Sequence, residues 1–193
     1  MRIVLTALAA LILSASASAL EYAGEHNQFS FTPAVAVSTG KVDFDSSAER
    51  EYWTSFSGIA DFDYLPLELE FRYSLADSKE RWLDTTAEAK WNTYGVGAKL
   101  DLSWRCQAAC LYLMAGYNFS QLNGKVSAGG STVTDTVNMH YPHVGLGFRY
   151  QFTEDLRAMI EWQQFNIGYQ KYRDEEFDLG HARAWQAGMA YFF

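Results

Sequence analysis

One pattern limits this chain more than any other: apolar and polar residues alternate in segment after segment, and no stretch beyond the N-terminus stays apolar long enough to cross a bilayer as a helix. From Leu65, the residues Leu67, Leu69, Phe71, Tyr73 and Leu75 fall on one face. Glu68, Glu70, Arg72 and Ser74 fall on the other. A period of two is the mark of a strand with one apolar face. A spanning helix needs about 20 consecutive apolar residues, so any membrane reading of this chain must use strands.

The alternation recurs along the chain. Tyr94, Val96, Ala98, Leu100, Leu102 and Trp104 oppose Gly95, Gly97, Lys99, Asp101 and Ser103. Leu111, Leu113, Ala115, Tyr117 and Phe119 form another apolar face, although Tyr112 and Met114 opposite are less polar. Val144, Leu146, Phe148, Tyr150 and Phe152 oppose His143, Gly145, Gly147, Arg149 and Gln151. Leu156, Ala158, Ile160 and Trp162 oppose Arg157, Glu161 and Gln163. Two earlier strands are predicted around Phe29 to Ser38, with an irregularity at Pro33 because proline cannot donate to a ladder, and around Tyr52 to Phe62. The last strand carries Trp185, Ala187, Met189, Tyr191 and Phe193 against Gln186, Gly188, Ala190 and Phe192. Eight strands are expected.

The N-terminus sets the compartment. Met1 and Arg2 make a positive start, Ile3 to Leu13 an apolar run, and Ser14 to Ala19 a small-residue segment with Ala17-Ser18-Ala19 as an A-x-A site. That order predicts a secretory leader over residues 1–19, leaving 20–193 as one domain. The formal charge of −8 argues against nucleic-acid binding, which needs clustered positive charge. Export makes a Cys106–Cys110 disulfide the leading reading of RCQAAC. No histidine lies nearby to complete a metal site, and no cofactor is expected.

Connections are expected to alternate in length. Short turns fall near Asp63 to Pro66, Arg105 to Ala109 and Thr153 to Asp155. Long polar segments fall near Lys41 to Arg50, Ala76 to Lys90, Leu122 to Asn138 and Gln170 to His181. Short turns on one rim and long loops on the other are the habit of bacterial outer-membrane barrels. A soluble sandwich also alternates, but its polar face meets water, whereas here that face is rich in Gly and Ser, which suits a narrow interior. Aromatics gather at strand ends, with Trp91 and Trp104, Phe152, and Trp185 and Phe193 as girdle residues. The predicted fold is all-β: a membrane-spanning, antiparallel, eight-stranded up-and-down barrel.

The C-terminus resembles the assembly signal of bacterial outer-membrane proteins, with Gln186, Gly188, Tyr191 and Phe193 in the positions of that pattern. The whole mature chain is similar to the small eight-stranded outer-membrane barrels typified by the OmpA transmembrane domain, OmpX and the opacity-type proteins. The resemblance implies an integral outer-membrane protein of a Gram-negative bacterium, folded by the barrel-assembly machinery and surrounded by outer-membrane lipid and lipopolysaccharide.

Eight strands leave just enough room inside for side chains. The inward candidates are Glu68, Glu70, Arg72, Lys99, Asp101, Arg149, Arg157 and Glu161, balanced in sign, and buried charges must be paired. They are expected to form an ion-pair network that fills the lumen, with a gated solute or ion pathway as the alternative. A lipid A-modifying enzyme is the third reading; its candidate histidines, His140, His143 and His181, have no serine neighbour in the pattern such enzymes use, so no catalytic residue is assigned. Glu175 and Glu176 read as a solvated charge run. The expected role is envelope structure and surface interaction, adhesion or defence, with a host or surface ligand met by the long loops.

Overall fold

The computed structural model describes residues 31–44, 50–62, 65–82, 85–102, 108–172, 175–178 and 180–193. The expected leader, Trp104, Cys106 and the side chains of Glu175 and Glu176 lie outside the described residues. The strands are β1 (Phe31–Phe44), β2 (Arg50–Phe62), β3 (Leu67–Trp82), β4 (Thr85–Asp101), β5 (Ala109–Ala128), β6 (Ser131–Gln151), β7 (Leu156–Asn166), β8 (Tyr169–Tyr172), β9 (Glu175–Asp178) and β10 (His181–Phe192). Strands β1 to β7 and β10 form a closed antiparallel barrel in sequence order, with β10 closing on β1. The pair β8–β9 is a separate hairpin inserted between β7 and β10.

Following opposed residues around the wall gives the stagger. One way, Ser38 leads through Ser55, Ser74 and Thr93 to Ser120 on β5. The other way, it leads through Gly188, Met159 and Arg149 to Cys110 on the same strand. The circuit returns ten residues away, so the strands are tilted, as closure of a barrel requires.

The predicted faces agree with the burial of the side chains. Val96, Leu111, Phe119, Val144, Ile160 and Trp185 are exposed on the outer wall, while the alternate residues are buried inside. Two aromatic belts ring the outside. The lower, at the short-turn end, includes the ring pairs Phe31–Phe62, Tyr150–Phe152 and Tyr191–Phe193. The upper includes Tyr73–Tyr94, Tyr117–Phe119 and Trp185. From Trp185 to Phe193 the rise is about 20 Å, at about 3.3 Å per residue and a tilt of about 40°, close to the height of an outer-membrane apolar band.

Three expectations need correction. The long polar segments at Ala76–Lys90 and Leu122–Asn138 are largely not loops: β3 pairs with β4 up to Trp82↔Thr85, and β5 with β6 up to Ala128↔Ser131. Beyond the membrane both faces of a strand meet water, so the ladder continues while the hydrophobic alternation stops. Gly129 and Gly130, at φ 56° and 83°, supply the backbone that a two-residue hairpin turn of the favoured twist demands. Pro33 causes no irregularity: it pairs in register with Ala60. Its carbonyl accepts the Phe193 amide at 3.1 Å, so its missing donor faces the end of β10, where it costs only the last bond of the ladder. Trp91 is not a girdle residue; it is only 8% exposed and packs inside, as its parity with Thr93 and Lys99 requires.

Single-tryptophan variants test these faces. Fluorescence of Trp185 should be quenched strongly by lipids brominated on their acyl chains, and that of Trp53 or Trp91 hardly at all. Equal quenching of Trp91 and Trp185 would contradict the assigned faces.

Candidate functional site: the charged lumen

The interior is stacked in layers. At the long-loop end an apolar cap contains Trp53, Trp91, Met139, Tyr141, Phe165 and Ile167. The Trp53 and Phe165 rings stack at 5.6 Å, and Tyr141 meets Phe165 edge-on at 5.8 Å. Beneath it lies the hydroxyl line already traced by the register. Ser55 bonds Ser74 at 2.8 Å, Thr93 bonds Ser120 at 2.6 Å, and Ser120 bonds Tyr141 at 2.8 Å. A hydroxyl can both donate and accept, so neighbours along this line serve as one another's partners.

The next layer centres on Glu161, which is 1% exposed. Its carboxylate accepts from the Tyr112 hydroxyl at 2.7 Å, Arg72 at 2.8 Å and Gln163 at 3.0 Å, and from the Gln186 amide. Lys99 Nζ lies 2.7 Å from Oε1, the oxygen that Tyr112 also bonds, and 3.4 Å from Glu70. Arg72 also bonds Glu70 at 2.7 Å. Two carboxylates and two cations thus neutralise each other, and the donors aimed at Glu161 replace its hydration. Without such pairing, a charge at this depth costs several kcal/mol.

A second cluster sits toward the short-turn end. Arg149 bonds both Glu68 and Asp101. Arg157 reaches Asp61 at 2.8 Å and Glu68 at 3.0 Å. The Arg157 guanidinium lies 3.9 Å from the centre of the Phe192 ring, a cation–π contact that gives the inward Phe192 its place. Phe192 joins Ile59, Met159 and Ala190 in a small apolar closure. The cavity left beside them is about 20 Å³, the space of a single water.

The inward glycines explain how an eight-stranded barrel holds these groups. A Cβ on Gly147 would collide with the Tyr112 ring, one on Gly145 with Met114, one on Gly116 with the His143 ring, and one on Gly95 with Asn118. Each large side chain leans over a glycine on a neighbouring strand.

All eight charges singled out in the sequence face the lumen, and the structure sorts them into an inner group (Glu70, Arg72, Lys99, Glu161) and an outer group (Glu68, Asp101, Arg149, Arg157). Sequence reasoning missed Asp61, Tyr112 and Gln163 as partners, although each has inward parity. Of the four C-terminal motif residues, Gln186 points inward, bonding Glu161 and Ser38. Gly188 packs its backbone against Ser38 at the β1–β10 seam, and Tyr191 and Phe193 face outward. Cys110 faces the lumen at the start of β5. The three histidines do not converge: His143 is buried beside Phe165, His140 lies on the outer face against Tyr117, and His181 is exposed at the start of β10. Among the described residues no group of three or more His, Cys, Asp or Glu is arranged to hold a metal.

Replacing Glu161 by Leu should leave Arg72 and Lys99 with Glu70 alone to balance them in the inner group, at a cost of about 3–5 kcal/mol. Gly147→Leu should also destabilise, by displacing Tyr112. Urea unfolding of the purified barrel in lipid bilayers measures both, and wild-type stability of Glu161→Leu would refute the hub assignment.

Residues 5–193 match a family described as "Outer membrane protein beta-barrel domain". No curated protein matches the chain at the sequence level. Among solved structures, the chain is similar to Neisserial surface protein A (16% identity, 86% of this chain and 100% of that one, TM-score 0.59). It is also similar to Ail, the attachment invasion locus protein of Yersinia pestis (12% identity, 84% and 97%, TM-score 0.55), and to the N-terminal β-barrel domain of Pseudomonas aeruginosa OprF (16% identity, 84% and 99%, TM-score 0.51).

Proposed function

We propose a role for this chain from the premise that it belongs to the outer membrane protein β-barrel domain family, integral to the outer membrane. The role is surface interaction: the barrel is a closed, side-chain-filled anchor, and its extracellular sheet is the working part, serving adhesion or defence. With short turns in the periplasm, the tall strands β3 to β6 rise outside the cell.

The carrying observation is the edge of that sheet. Strand β6 pairs with β7 only from His143 to Gln151, yet it pairs with β5 from Ser131 onward. Among the described residues no strand pairs with β6 on the β7 side between Ser131 and Pro142. The stretch Ser131–His140, "STVTDTVNMH", is rich in Thr and Val, which favour strands. It contains no Lys or Pro of the kind that guards natural edges; Asp135 is its one formal charge. An unguarded edge is a template on which an extended segment of another protein can add as a strand, with main-chain bonds supplying affinity. The likeness to an attachment invasion locus protein points the same way. In this reading the lumen carries no solute, and the barrel performs no chemistry on lipid.

The same reading includes biogenesis. The leader at 1–19 is removed on export, Gln186, Gly188, Tyr191 and Phe193 are read by the barrel-assembly machinery, and Cys106 and Cys110 become a disulfide in the periplasm. Intact mass of the protein from outer membranes should correspond to a chain starting at Leu20 and should not change on thiol alkylation without reductant. An alkylated product would refute the disulfide.

Adhesion is tested by expressing the barrel in a non-adherent Gram-negative host and counting bacteria bound to epithelial cells. Excising residues 121–138, which carry most of the edge, and rejoining the hairpin with a tight turn should return binding to the level of cells lacking the barrel, while heat-modifiable gel mobility shows that the barrel still folds. Undiminished binding by the shortened protein would overturn the role given to the edge.

A further inference from the structure

The outer wall is dented where β1, β10 and β7 meet. The depression, of about 530 Å³, is lined by Thr39, Lys41, Asp43, Ile160, Trp185 and Ala187, with Gly40 and Gln186 at its floor. Its cause is local. Thr39 and Ala187, both short, stand opposite each other, and Ile160 and Trp185 flank them as bulky neighbours. The floor lies close to the barrel wall because Gly40 packs directly on the backbone of Trp185 and Gln186.

Chemistry changes with height along this depression. Ile160 and Ala187 lie at its base within the apolar band, and Trp185 marks the upper aromatic belt. Lys41 is opposite Trp185, with its Nζ 5.3 Å from the centre of the Tyr52 ring. Two pairs higher, on the same outward face, stand Asp43 and Arg183, opposed in register, with Arg183 exposed. The upper end therefore presents two cations against one carboxylate on a chain whose formal charge is −8. Lys41 and Arg183 face the leaflet side of the wall and not the lumen network.

We propose that this depression is a seat for a phosphorylated glycolipid of the outer leaflet. A phosphate accepts from Lys41 Nζ, with Arg183 above it, and one acyl chain lies in the dent over Ala187, between Ile160 and Trp185. An amphiphile of that form matches both ends of the depression, its anionic head at the belt and its chain below. The site follows from the outer-membrane placement and is independent of the adhesive edge, which lies on β6 on another part of the wall. An unoccupied Lys41 that merely extends its ammonium toward water along the Tyr52 ring is the competing account, and it demands no lipid.

Native mass spectrometry of the delipidated barrel in detergent separates the two. The probes are diphosphorylated hexa-acyl lipid A, the same lipid dephosphorylated, and phosphatidylglycerol. Wild type should retain diphosphorylated lipid A in preference to the other two. Lys41→Gln should weaken its retention by about tenfold, the loss of one charge-assisted hydrogen bond. Ala187→Phe, which fills the dent, should weaken it comparably, and Lys125→Gln on the distant β5–β6 hairpin should not change it. Heat-modifiable mobility confirms that each variant is folded, and Lys41→Gln, which alters no packing inside the wall, decides the matter if Ala187→Phe fails to assemble. Equal retention by Lys41→Gln and wild type, or equal retention of dephosphorylated lipid A or phosphatidylglycerol by wild type, would overturn the proposal.

Discussion

A backbone that crosses hydrocarbon must satisfy every N–H and C=O within itself, and for strands only closure does so. Everything else in this molecule depends on that requirement. Closure fixes the tilt that carries the register ten residues along β5 in one circuit. With eight strands it also fixes an interior wide enough for side chains and little else. The residues sent inward by the period of two then have no choice but to find one another. Glu161 is tolerable at 1% exposure because Lys99, Arg72, Tyr112, Gln163 and Gln186 arrive from five different strands or positions to surround it. Removing one of them leaves a charge that the narrow lumen cannot hydrate.

Volume is matched as closely as charge. Tyr112 over Gly147, Met114 over Gly145, His143 over Gly116 and Asn118 over Gly95 are the same device repeated. A glycine on one strand makes room for a large inward side chain on its neighbour. In the sequence those glycines read only as the absence of an inward side chain. In the folded wall they are what allows the polar face to carry tyrosine, methionine and histidine. The distribution of layers follows: an apolar cap around Trp53 and Phe165, hydroxyls below, two ion-pair clusters, and Phe192 beneath Arg157.

The alternation made the faces of the barrel legible from the sequence, because inside and outside the wall differ in solvent and a one-residue slip would invert them. It made the lumen charges legible as a set, but not their partnerships. Which charge meets which depends on the stagger, and stagger is a property of the closed circuit with no signature in any single strand. That is why Glu161 did not stand out among eight candidates, and why Asp61 on β2 went unnoticed. Trp91 shows a different limit: an aromatic near a strand end suggests a girdle, but its parity with Thr93 and Lys99 sends it inward. The extensions of β3 to β6 beyond the apolar band carry no such signal, because alternation reports a difference between two faces, and past the membrane there is none. There, the signal is β-propensity in Thr and Val and the Gly129-Gly130 turn.

On the role proposed above, function lies on the surfaces that closure leaves unsaturated, and the fold supplies two. The first is vertical. Strands of unequal height cannot all pair to their tips, and among the described residues no strand pairs with β6 on its β7 side above His143. The second is lateral. A wall of alternating large and small outward residues is not smooth, and at Thr39 and Ala187 it recedes beside Trp185 at the height of the upper belt. Strand addition uses the main-chain groups that an edge offers, whereas a lipid with an anionic head fits an apolar recess below a cation. A single closed barrel can therefore present both without either disturbing the packed interior that holds it together.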